Sequence, residues 1–194
     1  MNFWSFIKMM FQAMVKPKRQ ILIPEIPAGR LLDIGGGGEG IIAQVGGARV
    51  IAIDKYMSEI SEARGKAPNA AWLVADGTQL PQVNDSLDIA TAFFSCMYMP
   101  DDVKEKVFRE TQRVLKPGGE FWIWDVPMTT KMDVFAARVQ VDIPEISTIR
   151  TVYGVRAKDQ SATTLSSQLQ AAGFETNVIV DHKTDFFIKA KKTA

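Results

Sequence analysis

A chain of 194 residues, 46% hydrophobic and 23% charged, has the make-up of one globular domain with a full core. Its formal net charge of +1 supplies no overall attraction for nucleic acid. The single cysteine, Cys96, excludes an intramolecular disulfide and a multi-cysteine zinc site, and one histidine argues against a histidine-based metal centre. The expectation is a metal-free, cytoplasmic protein.

Residues 1–29 read as an amphipathic helix and a connector. Phe3, Ile7, Met10 and Met14 recur at helical spacing, with Trp4, Phe6 and Phe11 widening the stripe, while Asn2, Ser5, Lys8 and Gln12 fill the other face. Pro17 stops the pattern. The stretch is too short to span a bilayer and lacks the positive start and small-residue cleavage site of a signal peptide. A helix packed on the domain or on a partner is the plainest reading. A lid over a ligand cleft is a second. A third is attachment to a membrane surface, helped by Lys8, Lys16, Lys18 and Arg19. Pro24 to Gly29 then connects to a second unit, residues 30–194.

From Arg30 onward apolar strands alternate with helical patterns, the signature of a parallel sheet covered on both faces. Leu31 to Ile34 is a strand that opens into four glycines, Gly35 to Gly38, and a helix beginning near Glu39. Arg49 to Asp54 is the next strand, Met57 to Arg64 a helix, and Trp72 to Asp76 a third strand, followed by Gly77. Leu87 to Phe94 is the fourth. Asp102 and Glu105 are spaced as a capping box for a helix that ends at Lys116-Pro117-Gly118-Gly119, and Glu120 to Val126 suits a central strand. Residues 127–160 break the rhythm as an insertion. Alternation at Val139, Val141, Ile143 and at Thr151, Tyr153, Val155 predicts a hairpin there that could cover the acceptor site. Ser161 caps a last helix closed by Gly173, and Phe174 to Val180 with Phe186 to Ala190 form an antiparallel pair.

Ligands of an open parallel sheet bind beyond the carboxyl ends of its strands. Asp33, the glycine turn, Asp54, Asp76 and the Phe94–Tyr98 segment all fall at such ends and should converge. Gly35, Gly37 and Gly40 also fit the G-x-G-x-x-G of a nicotinamide dinucleotide site, with Asp54 placed for ribose hydroxyls. Against it stand the acid two residues before the first glycine, a third acid at the next strand end, and a terminal hairpin with no room for a separate substrate domain.

In Leu32-Asp33-Ile34-Gly35-Gly36-Gly37, Ile51-Ala52-Ile53-Asp54, Val74-Ala75-Asp76-Gly77, Leu87-Asp88-Ile89-Ala90 and Arg113-Val114-Leu115-Lys116-Pro117-Gly118-Gly119, the chain resembles the class I S-adenosylmethionine (SAM)-dependent methyltransferases. The likeness is greatest to small ones such as the ubiquinone and menaquinone biosynthesis C-methyltransferases. The resemblance implies a doubly wound α/β fold, a mostly parallel seven-stranded sheet ordered 3-2-1-4-5-7-6 with its last strand antiparallel, preceded here by the N-terminal helix. It implies SAM as cofactor and S-adenosylhomocysteine as product. Carried over, Asp33 orders the turn near the methionine moiety, and Gly35, Gly36 and Gly37 bring the backbone close to the sulfonium and amino-acid tail. Asp54, followed by Lys55, accepts from the ribose hydroxyls. Asp76 and the Gly77 N–H hold the adenine, and the Phe94 backbone lies beside the methionine portion. Glu39 stands where the family has glycine. A first-turn acid would favour the helix dipole, or it could face the cationic end of SAM.

No acceptor signature stands out. After the fourth strand comes Phe93-Phe94-Ser95-Cys96-Met97-Tyr98, neither the Asn/Asp-Pro-Pro-aromatic motif of amino-directed DNA methyltransferases nor a Pro-Cys pair. Cys96 reads as a small buried residue and His182 as an exposed turn residue. Tyr98 and Asp125, past strand ends, are the candidates for a catalytic base or acceptor-orienting group. Met97, Tyr98, Met99, Met128 and Met132 could wall an apolar acceptor site, or simply pack the core. The expectation is a methyltransferase for a small-molecule acceptor. The alternatives are a non-catalytic SAM-binding or partner-binding protein and a nicotinamide-dependent oxidoreductase.

Overall fold

The structure, a computed structural model, describes residues 4, 7–11, 19–131, 133–143 and 147–193. Met132, Phe3, Phe6, Met14, Lys16 and Lys18 lie outside the described residues.

Runs of apolar residues with no polar alternation have to be buried on both faces, and they build the centre of the larger sheet. β2 (Leu31–Ile34) is buried at all four positions, and β5 (Leu87–Phe93) and β6 (Leu115–Asp125) lie beside it in parallel. β3 (Val50–Asp54) and β4 (Ala71–Val74) extend the sheet on the other side of β2, also parallel. β9 (Phe174–Asp181) and β10 (Phe186–Lys192) close it as an antiparallel hairpin, with β10 against β6. The order is β4-β3-β2-β5-β6-β10-β9. Counted within this sheet alone, that is the 3-2-1-4-5-7-6 order expected.

Alternate residues of each strand serve two cores. Leu32, Ile34, Ala90, Ala92, Phe121, Ile123 and Ile188 point to one face, where α3 (Asp101–Val114) brings Val107, Phe108 and Val114, and α4 (Ala162–Ala171) brings Leu165 and Leu169. Leu31, Ala52, Ile89, Trp122, Trp124 and Phe187 point to the other, where α1 (Ile41–Gly46) supplies Ile41, Ile42 and Ala43. Trp124 stacks on Phe187 at 4.4 Å and 3°. The remaining helix, α2 (Met57–Ala63), lies between β3 and β4 in sequence. Helix α4 starts with a capping box between Ser161 and Thr164. Asp102 does not cap α3. The helix begins two residues earlier than that cap implies, at Asp101, with Pro100 at the N-cap and no side-chain cap bond, because proline already fixes the entry φ and the acids Asp101 and Asp102 serve the first-turn dipole instead.

The segment from Pro127 to Gln160 forms the hairpin suggested by its alternation: β7 (Val134–Ile143) and β8 (Ser147–Arg156), antiparallel. The stretch before Pro24 is not only a connector. Arg19–Leu22 is a strand, β1, parallel to β7, so the N-terminal segment and the insertion share a three-stranded sheet ordered β1-β7-β8. Local spacing could not show this, because the partner lies about 120 residues away and four residues carry too little pattern. The inner face of this small sheet, with Ile21, Phe135, Ala137, Val139 and Val141, packs on the Trp122–Trp124 side of the large one, where a crossover helix would otherwise lie. Trp4 and residues 7–11 are helical. This segment rests on the outer face of the small sheet, Met9 against Gly154 and Lys8 paired with Asp133 at 2.9 Å.

Candidate cofactor site

Parallel strands bring their carboxyl ends to one edge, and there the sequence-predicted residues meet. Asp33, in β2, is 1% exposed and accepts a 2.8 Å hydrogen bond from Thr91 Oγ1 of β5. Burial pushes its carboxyl up to about 7, and Asp54 nearby adds to the rise while the Thr91 bond opposes it. Gly35 takes φ +71°, a left-handed conformation that side chains rarely adopt, and a Cβ there would also meet Ser95. At Gly37 an added Cβ would collide with Glu59 and come within 2.8 Å of Asp54 Oδ2. The turn is therefore glycine because backbone and acids share one small space.

The amides of that turn are largely committed. Gly35 and Gly36 donate to the Ile53 carbonyl at 2.9 and 3.0 Å, and Gly38 donates to Glu59 at 3.0 Å. The helix begins at Ile41, not near Glu39, with Gly40 left-handed at the N-cap. Glu39 thus lies outside the helix, and its carboxylate pairs with Lys66 Nζ at 2.9 Å across the base of the turn. The dipole argument for Glu39 does not apply, and a structural role through Lys66 does.

Asp54 ends β3 and accepts from the Tyr56 N–H at 2.9 Å through Oδ1. Asp76, two residues beyond β4, accepts from the Thr78 N–H and hydroxyl at 2.8 Å, both through Oδ1, and these bonds hold it below the usual carboxylate range. Among the described residues, Oδ2 of each accepts no hydrogen bond. Lys55 places its ammonium over the Tyr56 ring at 4.9 Å and contributes a smaller lowering of Asp76. Gly77 leaves room for Val107 and Ile34. Phe94 is fully buried at φ +53°, a costly conformation for an aromatic residue, held by its N–H bond to the Trp124 carbonyl at 2.8 Å.

A protein-family model described as a methyltransferase domain matches residues 31–119. Over residues 31–119 the chain is thus similar to methyltransferase domains. A sterol 4-C-methyltransferase of Caenorhabditis elegans is 33% identical over 110 residues, covering 53% of this chain and 32% of that protein. An arsenite methyltransferase of Halobacterium salinarum is 31% identical over 172 residues, 82% of this chain and 41% of that protein. The chain thus spans well under half the length of these relatives. A SAM-dependent methyltransferase structure from Methanosarcina mazei superposes with a TM-score of 0.63 at 20% identity, covering 87% of this chain and 94% of that one.

The strand-end site is roofed by Tyr153, whose spacing in the sequence gave it no role there. Tyr153 of β8 stacks on Phe94 at 4.8 Å and 13°, and burial raises its phenol strongly, with Tyr98, Glu39, Asp33 and Asp125 all adding to the rise. The alternation at 151, 153 and 155 predicts only a strand; the packing of the two sheets turns Tyr153 inward and sets it over the strand ends. Tyr98, in the short 3-10 turn Cys96–Tyr98, is half-exposed, but its oxygen accepts from the Gly154 N–H at 3.3 Å and its pKa is pushed up to about 12, chiefly by burial.

Asp125 is an anchor for the surrounding loops. Wholly buried at the end of β6, it accepts from the Met97 and Val126 amides at 2.9 and 2.8 Å and from Gln160 Nε2 at 3.0 Å. Burial raises it to about 7 despite those bonds. With both oxygens engaged, it holds the loops after β5 and β6 together instead of meeting an acceptor. Met97 and Met128 are buried core, and Met99 packs against the second core, so these three methionines are packing. Burial likewise drives the Cys96 thiol up and leaves it inert. His182 sits in the exposed β9–β10 turn, 3.6 Å from Asp185, on the carboxyl edge of the sheet but beyond β6, since Phe186 is in register with Asp125. Among the described residues no cluster could hold a metal ion, and no helix is long and apolar enough to cross a membrane.

Proposed function

We propose that this chain is a SAM-dependent methyltransferase acting on a small-molecule acceptor. The observation that carries the reading is the row of acids at successive strand ends around a glycine turn, with Oδ2 of Asp54 and of Asp76 unengaged among the described residues. That set of acceptors suits SAM: two hydroxyls and an amino group need acceptors, and a cation needs carboxylates nearby. On this reading Asp54 takes the ribose, with Lys55 at its rim, and Asp76 and Gly77 take the adenine. Gly35, Gly36, Gly37 and the Phe94 backbone border the methionine part, and Asp33 sets the turn from beneath.

When bound, SAM supplies a methyl group already activated on a sulfonium, so the chain's task is alignment and exclusion of water. Phe94, Tyr153 and the three-stranded sheet exclude water from above the strand ends. Tyr98 is the half-exposed one of the two predicted candidates, and its raised pKa suits it to orienting an acceptor by hydrogen bonding, not to removing a proton at neutral pH. The buried lone thiol and the SAM chemistry support a cytoplasmic location.

Isothermal calorimetry with S-adenosylhomocysteine and with NAD tests the cofactor. Binding of the former alone is expected; binding of NAD alone would favour an oxidoreductase. Methyl transfer to a metabolite panel is the test of catalysis, and a protein that binds the cofactor yet methylates nothing would be a SAM-binding module.

A further inference from the structure

The N-terminal helical segment is docked with its apolar side outward. At 100° per residue, Ile7, Met10 and Phe11 fall within one arc of about 100°, and Met9 lies on the other side of the helix. Met9 is the residue that meets Gly154, and Lys8, on the polar flank, is the one that reaches Asp133. The arc therefore faces away from the protein. Trp4 is 72% exposed, Phe11 63%, Met10 50% and Ile7 40%. A helix that served only to cover the domain would be turned the other way.

The sheet beneath continues this face. The inner face of β7 holds Phe135, Ala137, Val139 and Val141, so Ala136 and Arg138 project outward, opposite Gly154 and Val152 of β8. Arg150 and Arg156 project on the same side, opposite Gln140 and Val134. Arg138, Arg150 and Arg156 are exposed, and none makes an ion pair with a described residue. The acids on this side are already engaged: Asp133 by Lys8, and Asp142 by Gln20, Gln140 and Thr148. Val152, 50% exposed, adds apolar surface between Arg150 and Arg156.

We propose that this face, the N-terminal helix together with the outer side of the β1-β7-β8 sheet, binds the surface of a membrane containing anionic lipid. A shallow apolar arc flanked by arginines matches the boundary between acyl chains and phosphate headgroups: Ile7, Met10 and Phe11 enter the apolar side, and the guanidiniums stay at phosphate level. Arginines with no ion-paired acid among the described residues complement an anionic headgroup layer, and the chain's net charge of +1 makes the cation cluster a local feature, not a general one. The same small sheet roofs the site with Tyr153 on its inner face, so lipid docking would hold that roof at the membrane surface.

Vesicle flotation with the full chain tests this, using phosphatidylcholine alone and phosphatidylcholine mixed with phosphatidylglycerol. The full chain is expected to float with the mixed vesicles, about tenfold or more in preference to the neutral ones, and to be released by about 0.5 M salt. Ile7→Ser with Phe11→Ser is expected to abolish flotation, and Arg138→Gln with Arg150→Gln to remove the preference for the anionic lipid. Both variants should keep the circular dichroism melt and the S-adenosylhomocysteine affinity of the parent, since none of these residues borders the cofactor site. Absence of flotation by the parent would overturn the proposal, as would flotation unchanged in both variants. A concentration-dependent dimer in solution that Phe11→Ser disrupts, without lipid binding, would overturn it too and make a second copy the occupant.

Discussion

Asp33 couples the cofactor turn to folding stability through its proton. In an unfolded chain a carboxyl titrates near 4; here burial raises it to about 7, with a single hydrogen bond from Thr91 in partial compensation. The folded state thus binds the proton more tightly than the unfolded one. The stabilisation is fully present below the unfolded value and is lost as pH rises through the folded one. Between pH 5 and pH 8 the loss amounts to about 2–3 kcal/mol. Groups of opposite sign do not obscure this window. Asp76, Asp88, Asp101 and Glu110 are held low by Thr78, Lys116, Lys104 and Arg113, so their contributions are complete above about pH 5 and fall away only in acid. Asp125, raised in the same way, adds a drop of its own. Asp33→Asn keeps the shape and the Thr91 contact while removing the proton. Urea unfolding at pH 5 and pH 8 should show the parent losing stability with rising pH and the variant losing about 2–3 kcal/mol less of it. Equal losses in parent and variant would mean that Asp33 ionises at an ordinary pH, and the burial argument would fail.

Three other outcomes follow from the site. Asp54→Ala should weaken S-adenosylhomocysteine binding by about 5- to 150-fold in calorimetry, the equivalent of roughly 1–3 kcal/mol for a lost charged acceptor; an unchanged affinity would remove Asp54 from the site. Glu39→Gly should lower stability by less than about 1 kcal/mol, since its pair with Lys66 is partly exposed, and should leave cofactor affinity within about twofold, whereas a larger loss of affinity would give Glu39 a direct part in binding. Tyr153→Ala should cost about 2–4 kcal/mol in a denaturant melt and speed cofactor release in stopped flow, while Tyr153→Phe, which keeps the stack on Phe94, should do neither.

The order of the chain alone determined the large sheet and the approximate place of the site. Apolar runs at Leu31–Ile34, Val50–Asp54 and Glu120–Asp125 are long enough to demand burial on both faces, and the acids closing them must gather where parallel strands end. Those signals are local in sequence and survive without any knowledge of partners. What neighbours do to a group was not legible there. Asp125 looked like a base until Met97, Val126 and Gln160 were seen to occupy its oxygens. Glu39 looked like a helix residue until Gly40 turned left-handed and Lys66 came across to it. Only tertiary structure paired Arg19–Leu22 with a strand about 120 residues away and set Tyr153 over Phe94. It alone decided which side of the N-terminal helix faces out. The helical spacing showed that an apolar stripe exists, but a stripe has no direction until something packs against the opposite side, and here that contact is Met9 on Gly154.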